Sequence, residues 1–187
     1  MPSCAQRSLT GVKRYVALLR GINLGSRNRV PMARLRELVA ELGAENVRTY
    51  IASGNVVFTS GESAAKLRPA IEHAIESDFN IQILVAVIAA TDLEVVIKRN
   101  PYPRATPGSL HVAFAVTPLT AEDQARLKKL DFPGEELTPT KTHVYLHLPA
   151  GFGTGALNRE MDKIIGKRVT VRNWRTVETL AKMAGES

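Results

Sequence analysis

Two spacings of apolar residues alternate along the chain, one suited to buried strands and one to amphipathic helices. Tyr15 to Arg20 is a β-rich run between Gly11 and Gly21, and the polar loop Gly21 to Arg29 follows it. Pro31 suits the first position of a helix. Leu35, Leu38, Val39 and Leu42 then recur at helical spacing, with Arg34, Arg36, Glu37 and Glu41 on the other face and Gly43 as the stop. Val47 to Ile51 and Asn55 to Thr59 flank Ala52-Ser53-Gly54, which predicts a hairpin. Leu67, Ile71, Ala74 and Ile75 mark a second helix, and Ile81 to Ala89 supplies another strand. The order is β-α-β-β-α-β.

The same order returns farther on. A short helix, Asp92 to Lys98, stops at Asn100-Pro101, and the link to Gly108 holds three prolines. Leu110 to Val116 reads as a strand. Thr120 to Asp123 resembles a helix cap ahead of Leu127 and Leu130. A weak strand near Glu136 turns through Thr138 to Lys141 into a strong one, His143 to Leu148. Leu157, Met161, Ile164 and Ile165 predict a helix ending at Gly166, Val169 to Val171 a strand, and Asn173 the cap of a last helix carrying Trp174, Val177, Leu180, Ala181 and Ala184. The expected fold is α+β, with two ferredoxin-like βαββαβ halves, 11–90 and 108–187, joined by a helix and proline-rich link over 91–107 and closed by the terminal helix. Such a unit leaves one sheet face open, so each open face needs a partner or the other half.

Composition narrows the setting. Of 187 residues, 44% are hydrophobic and 23% charged, as in ordinary soluble domains. Lone Cys4 allows no intrachain disulfide, and polar Ser3, Gln6, Arg7 and Ser8 interrupt any leader-like start, which points to the cytoplasm. The longest apolar run, Ile83 to Ala90, is far too short to span a bilayer, so no membrane partner is expected. Net charge is +7, and its placement matters more: the first sixty residues hold nine Lys/Arg against Glu37, Glu41 and Glu45, and a second basic cluster lies between Arg159 and Arg175. Brought together, these segments would make an anion-attracting face; kept apart, they are a soluble basic surface.

Several stretches then resemble a known family. They are Tyr15-Val16-Ala17-Leu18-Leu19-Arg20-Gly21-Ile22-Asn23-Leu24-Gly25, Val30-Pro31-Met32, Thr49-Tyr50-Ile51-Ala52-Ser53-Gly54-Asn55-Val56-Val57-Phe58, Asn100-Pro101 and Arg172-Asn173-Trp174-Arg175-Thr176. In this order they are similar to the signature blocks of the bacterial family called domain of unknown function 1697. The likeness covers nearly the whole chain and fades between Thr117 and Lys141. It implies the same α+β architecture and brings no reaction, substrate or catalytic residue with it.

The chemistry of those blocks is that of holding rather than breaking. Residues 20–31, 49–58 and 170–177 contain no Asp, Glu, His or Cys. Arg20, Asn23, Ser26, Arg27, Asn28 and Arg29 lie in a loop feeding a helix start, where a phosphate or carboxylate could sit, or which could be held by its own hydrogen bonds. Ser53 and Asn55 in the hairpin and Arg172 and Arg175 near the last helix complete the candidate ligand-binding set Arg20, Asn23, Arg27, Arg29, Ser53, Asn55, Arg172 and Arg175. Asn173 reads as a helix cap and Trp174 as core. No Gly-Lys-Ser/Thr or Gly-x-Gly-x-x-Gly is present, so the usual nucleotide folds are disfavoured and no cofactor is expected. Tyr15 and Phe58 alone make a poor stacking platform for RNA. His143, Tyr145 and His147 share one strand face, and His111 could be their neighbour; three histidines there could bind zinc, but no nearby carboxylate is obvious and a half-buried aromatic face between the two halves explains the same pattern, so no metal is expected. Ser53 lacks a hydrolase elbow. The expectation is a cytoplasmic protein binding nucleic acid or a phosphorylated small molecule; the alternatives are a small metal-free enzyme using His111 or His143, and a dimerising scaffold.

Overall fold

The computed structural model describes residues 11–25, 27–153 and 155–186, except the side chain of residue 167; Cys4 and the polar start over residues 1–10, and Ser26, lie outside the described residues. The first eight elements are β1 (Lys13–Leu19), α1 (Met32–Glu41), β2 (Glu45–Tyr50), β3 (Asn55–Ser60), α2 (Ala64–Phe79), β4 (Val85–Ala89), α3 (Ala90–Lys98) and β5 (Leu110–Ala115). They are followed by α4 (Ala121–Leu127), β6 (Glu136–Pro139), β7 (His143–His147), α5 (Ala156–Ile165), a 3-10 turn (Gly166–Arg168), β8 (Val169–Asn173) and α6 (Trp174–Gly185). The strands form two four-stranded antiparallel sheets, ordered β2-β3-β1-β4 and β6-β7-β5-β8. The weak strand near Glu136 does form, paired to β7.

Alternation along each strand explains the layers, because successive side chains leave opposite faces. Tyr15, Ala17, Leu19, Val56 and Phe58 face Leu35, Leu38, Leu67, Ile71 and Ile75 of α1 and α2. Ala113, Val144, Leu146 and Val169 face α4 and α5 in the same way, against Leu127, Leu157, Met161 and Ile165. The opposite faces, Val16, Leu18 and Val57 on one sheet and Leu110, Val112, Phe114 and Tyr145 on the other, share a third core with Leu93 and Val96 of α3 and Trp174, Val177, Leu180 and Ala184 of α6. The faces expected to stand open are therefore covered, with α3 and α6 between the two sheets.

Helix α6 is held at both ends. The Asn173 side chain accepts a hydrogen bond from the Thr176 amide at 2.9 Å, the cap expected from the sequence. At the other end Arg14 donates to the Ala184 and Gly185 carbonyls at 3.2 and 3.1 Å, and Arg48 donates to the Met183 carbonyl and pairs with Glu186. Arg34 is likewise consumed locally by Asp78, Glu37 and Glu41. Three arginines of the first basic cluster, Arg14, Arg34 and Arg48, are thus spent on structure. No described helix is long and apolar enough to cross a membrane.

Candidate functional site

The β2–β3 hairpin approaches β1 closely at Gly54. Its φ is +78°, and a Cβ there would lie 2.7 Å from Leu19 Cβ and 2.8 Å from Ile22 Cδ1. The hairpin, the end of β1, β8 and one face of α5 enclose a cleft of ≈980 Å³. Its lining brings Arg20 and Ser53 from the first sheet against Arg159, Asp162 and Lys163 of α5 and Arg172 of β8. The two basic segments of the sequence do meet in space.

Arg172 is the centre of that meeting. Its Nε donates to Asn55 Oδ1 at 2.5 Å, Nη1 to Thr170 Oγ1 and the Val171 carbonyl at 2.9 Å each, and Nη2 to the Leu19 and Ser53 carbonyls at 2.8 and 3.1 Å. Every acceptor is neutral, and among the described residues no carboxylate pairs with it. Burial pulls its pKa down to about 10, which leaves the group charged at neutral pH. A cation largely withdrawn from water without a counter-ion carries a cost, and its field reaches into the cleft it lines.

The walls add exposed charge. Arg20 lies 4.0 Å from Asp162, and Lys163 pairs with Glu160 at 2.6 Å. Arg159 has no charged partner among the described residues. The remaining sequence candidates are divided between scaffold and distant surface. Asn23 donates to the Val30 and Ala52 carbonyls and accepts from the Val30 amide, and Asn28 donates to the Gly21 carbonyl, so the loop is tied by its own bonds. Asn55 is fully buried, with its amide on the Tyr50 carbonyl and Ser53 Oγ. Arg29 lines a separate hollow with Asn23 and Pro31, while Arg27 and Arg175 are exposed and outside the cleft lining.

The histidine expectation is corrected by strand register. His143 lies opposite Phe114 and His147 opposite Leu110, whereas His111 lies opposite Leu146, so His111 emerges from the other sheet face. The three-histidine cluster does not form. His143 packs edge-on to Tyr145 with ring centroids 4.7 Å apart, and burial lowers its pKa to about 4. His147 stacks on Tyr102. No histidine is among the cleft's lining residues, although His111 lies 5.4 Å, ring to ring, from Phe152, which is. Tyr15 and Phe58 are turned inward to α1 and α2, so neither presents a face on which a base could stack.

Sequence reasoning missed Asp162, Phe152 and the apolar lip of Leu24 and Ile51. A signal existed in Gly151-Phe152-Gly153, a glycine-rich loop between a strand and the helix that carries Arg159 and Lys163. The start of that helix is already occupied: Glu135 accepts from the Leu157 amide at 2.9 Å, and only a glycine at 155 leaves room for its carboxylate.

Residues 12–145 match the family described as "Protein of unknown function (DUF1697)". Among solved structures, a conserved bacterial protein from Streptococcus pneumoniae, SP0830, is similar over 93% of this chain and 99% of its own, with a TM-score of 0.80 and 27% identity. No curated protein matches the chain.

Proposed function

The chain belongs to the family of proteins of unknown function 1697, which brings it no assigned reaction, and we propose that it binds an anionic ligand in the cleft between its two sheets. The observation that carries this reading is Arg172, a half-buried residue whose guanidinium is surrounded by neutral acceptors on the wall of a cleft whose rim holds Arg20, Arg159 and Lys163. An anion would supply the missing counter-charge, by field at Arg172 and by direct contact at Arg20 and Arg159. Ser53 and Asn55 then hold Arg172, and Asn23 holds the Arg20 loop. Arg27, Arg29 and Arg175 steer from outside. The ligand is nucleic acid or a phosphorylated small molecule, bound in the cytoplasm.

The same reading treats the chain as two ferredoxin-like halves, 11–90 and 108–187, joined over 91–107. The repeated element order and the matching strand orders support that division.

A titration with pyrophosphate against chloride at equal ionic strength tests the site. Pyrophosphate raises the melting temperature of the parent protein by several degrees at saturating excess, and the Arg20→Ala/Arg159→Ala double variant, unchanged without ligand, loses the rise. An equal response from both proteins, or none from either, sinks the proposal. Parallel titrations with labelled RNA and DNA at several salt concentrations separate a polymer from a small ligand. A second reading, a metal-free enzyme, rests on one observation: His111 Nδ1, like His143 Nε2, is buried without a partner, and only His111 lies beside a residue of the cleft lining, Phe152.

A further inference from the structure

Five non-glycine residues among those described adopt a positive φ: Asn23, Asn28, Asn46, Asn80 and Ile51. Four are asparagine, the side chain that tolerates this conformation best. Ile51, at φ +48°, is β-branched, the type least suited to it. Its side chain gains nothing from burial, being 53% exposed. It lines the cleft, as does Leu24 at 69% exposure, and these are two of the four large apolar residues left exposed in the described chain. Backbone strain retained for an exposed apolar side chain marks a place where something covers it.

The cleft is therefore two-sided in chemistry. Arg20, Arg159 and Lys163 offer positive charge, while Leu24, Ile51 and the ring of Phe152 offer apolar surface. A volume of ≈980 Å³ is far larger than an inorganic anion needs and falls within the range of small-molecule sites. Resting on the anion-binding reading, we infer that the ligand is a small phosphate ester bearing a flat aromatic ring, of the size of a mononucleotide. The phosphate meets Arg20 and Arg159, and the ring covers Leu24 and Ile51.

Calorimetry at constant ionic strength tests this with ribose 5-phosphate, adenosine, adenosine monophosphate and a short single-stranded oligonucleotide as probes. The parent protein binds the monophosphate at least tenfold more tightly than ribose 5-phosphate. Leu24→Ser and Ile51→Gly bring the two within threefold by weakening only the monophosphate, and both variants melt no lower than the parent. Equal affinity for the two phosphates, both still lost in Arg159→Ala, overturns the ring assignment and leaves the anion site standing. Adenosine binding as tightly as its monophosphate, with no effect of Arg159→Ala, overturns the anion reading and the inference together, as does an absence of binding by every probe. An oligonucleotide tenfold tighter than the monophosphate overturns the small-ligand assignment in favour of a polymer.

Discussion

Two arginines at the two ends of β8 present opposite solutions to the same problem. Arg168, just before the strand, meets the Asp123 carboxylate through both nitrogens of its fork, at 2.8 and 3.1 Å. Asp123 in turn completes a capping box with Thr120 at the start of α4, so the pair closes both its charge and its hydrogen bonds. Arg172, four residues on, closes its hydrogen bonds and leaves its charge open. In the sequence both belong to one basic cluster between Arg159 and Arg175. What separates them is the partner that folding supplies: a carboxylate in one corner, carbonyls and an amide in the other. A count of basic residues does not distinguish a neutralised corner from one whose charge has no counter-ion.

The largest expected effect comes from removing each arginine. Arg172→Met removes an unpaired charge but strands Asn55 Oδ1 and the Leu19 and Ser53 carbonyls, and denaturant unfolding should show a net loss of about 2–3 kcal/mol. Arg168→Met, at a more exposed site, costs about 1–2 kcal/mol. Equal losses would break the comparison.

Acid separates the corners next. Arg168 first, and the Thr120 amide second, hold the Asp123 carboxyl at about 2, below its ordinary 3.8. A lowered carboxyl pKa contributes stability above the ordinary value that is lost as pH falls toward the folded one, so this corner weakens between about pH 4 and about pH 2. Arg168→Met flattens that limb and Arg172→Lys does not. His143, kept neutral by burial down to about pH 4, gives an earlier limb between about pH 6.5 and 4, because the unfolded chain takes up its proton first. His143→Leu removes only this one in the same pH series.

Two smaller changes sharpen the contrast. Thr170→Asp places a carboxylate beside Arg172 Nη1, turning its corner into a copy of the Arg168 one, and pyrophosphate affinity should fall at least fivefold, about 1 kcal/mol. Unaltered affinity in a folded Thr170→Asp protein would show that the uncompensated charge plays no part in binding. Asp162→Asn frees Arg20 and removes a like charge, and a two- to threefold gain in calorimetric affinity is expected.

Much of the fold was legible because its periods are strong. The Leu35–Leu42 and Leu67–Ile75 patterns and the run from Tyr15 each allow one element, and even the weak strand near Glu136 follows once β7 needs an edge partner. The face of His111 was misjudged for a definite reason. Alternation says which residues of one strand share a face, but whether His111 joins His143 and His147 depends on the pairing of β5 with β7. The site was legible only in part. That Arg20 and Arg172 share a cleft needs both sheets in place, and that Asn55 serves Arg172 rather than a ligand depends on a contact 117 residues apart. Ile51 reads as an ordinary strand residue until its φ is known.

The position of α6 bears on how the chain is made. Every strand of both sheets precedes Trp174, yet Val16, Leu18 and Val57 find part of their cover in Trp174, Val177 and Leu180. As the polypeptide leaves the ribosome, each sheet can assemble on its outer helices while its inner face waits, wet and adhesive, for residues 174–185 to emerge. The last helix works as a wedge driven home after the walls are up, and a chain stalled before it would leave two apolar sheet faces with only α3 to cover them.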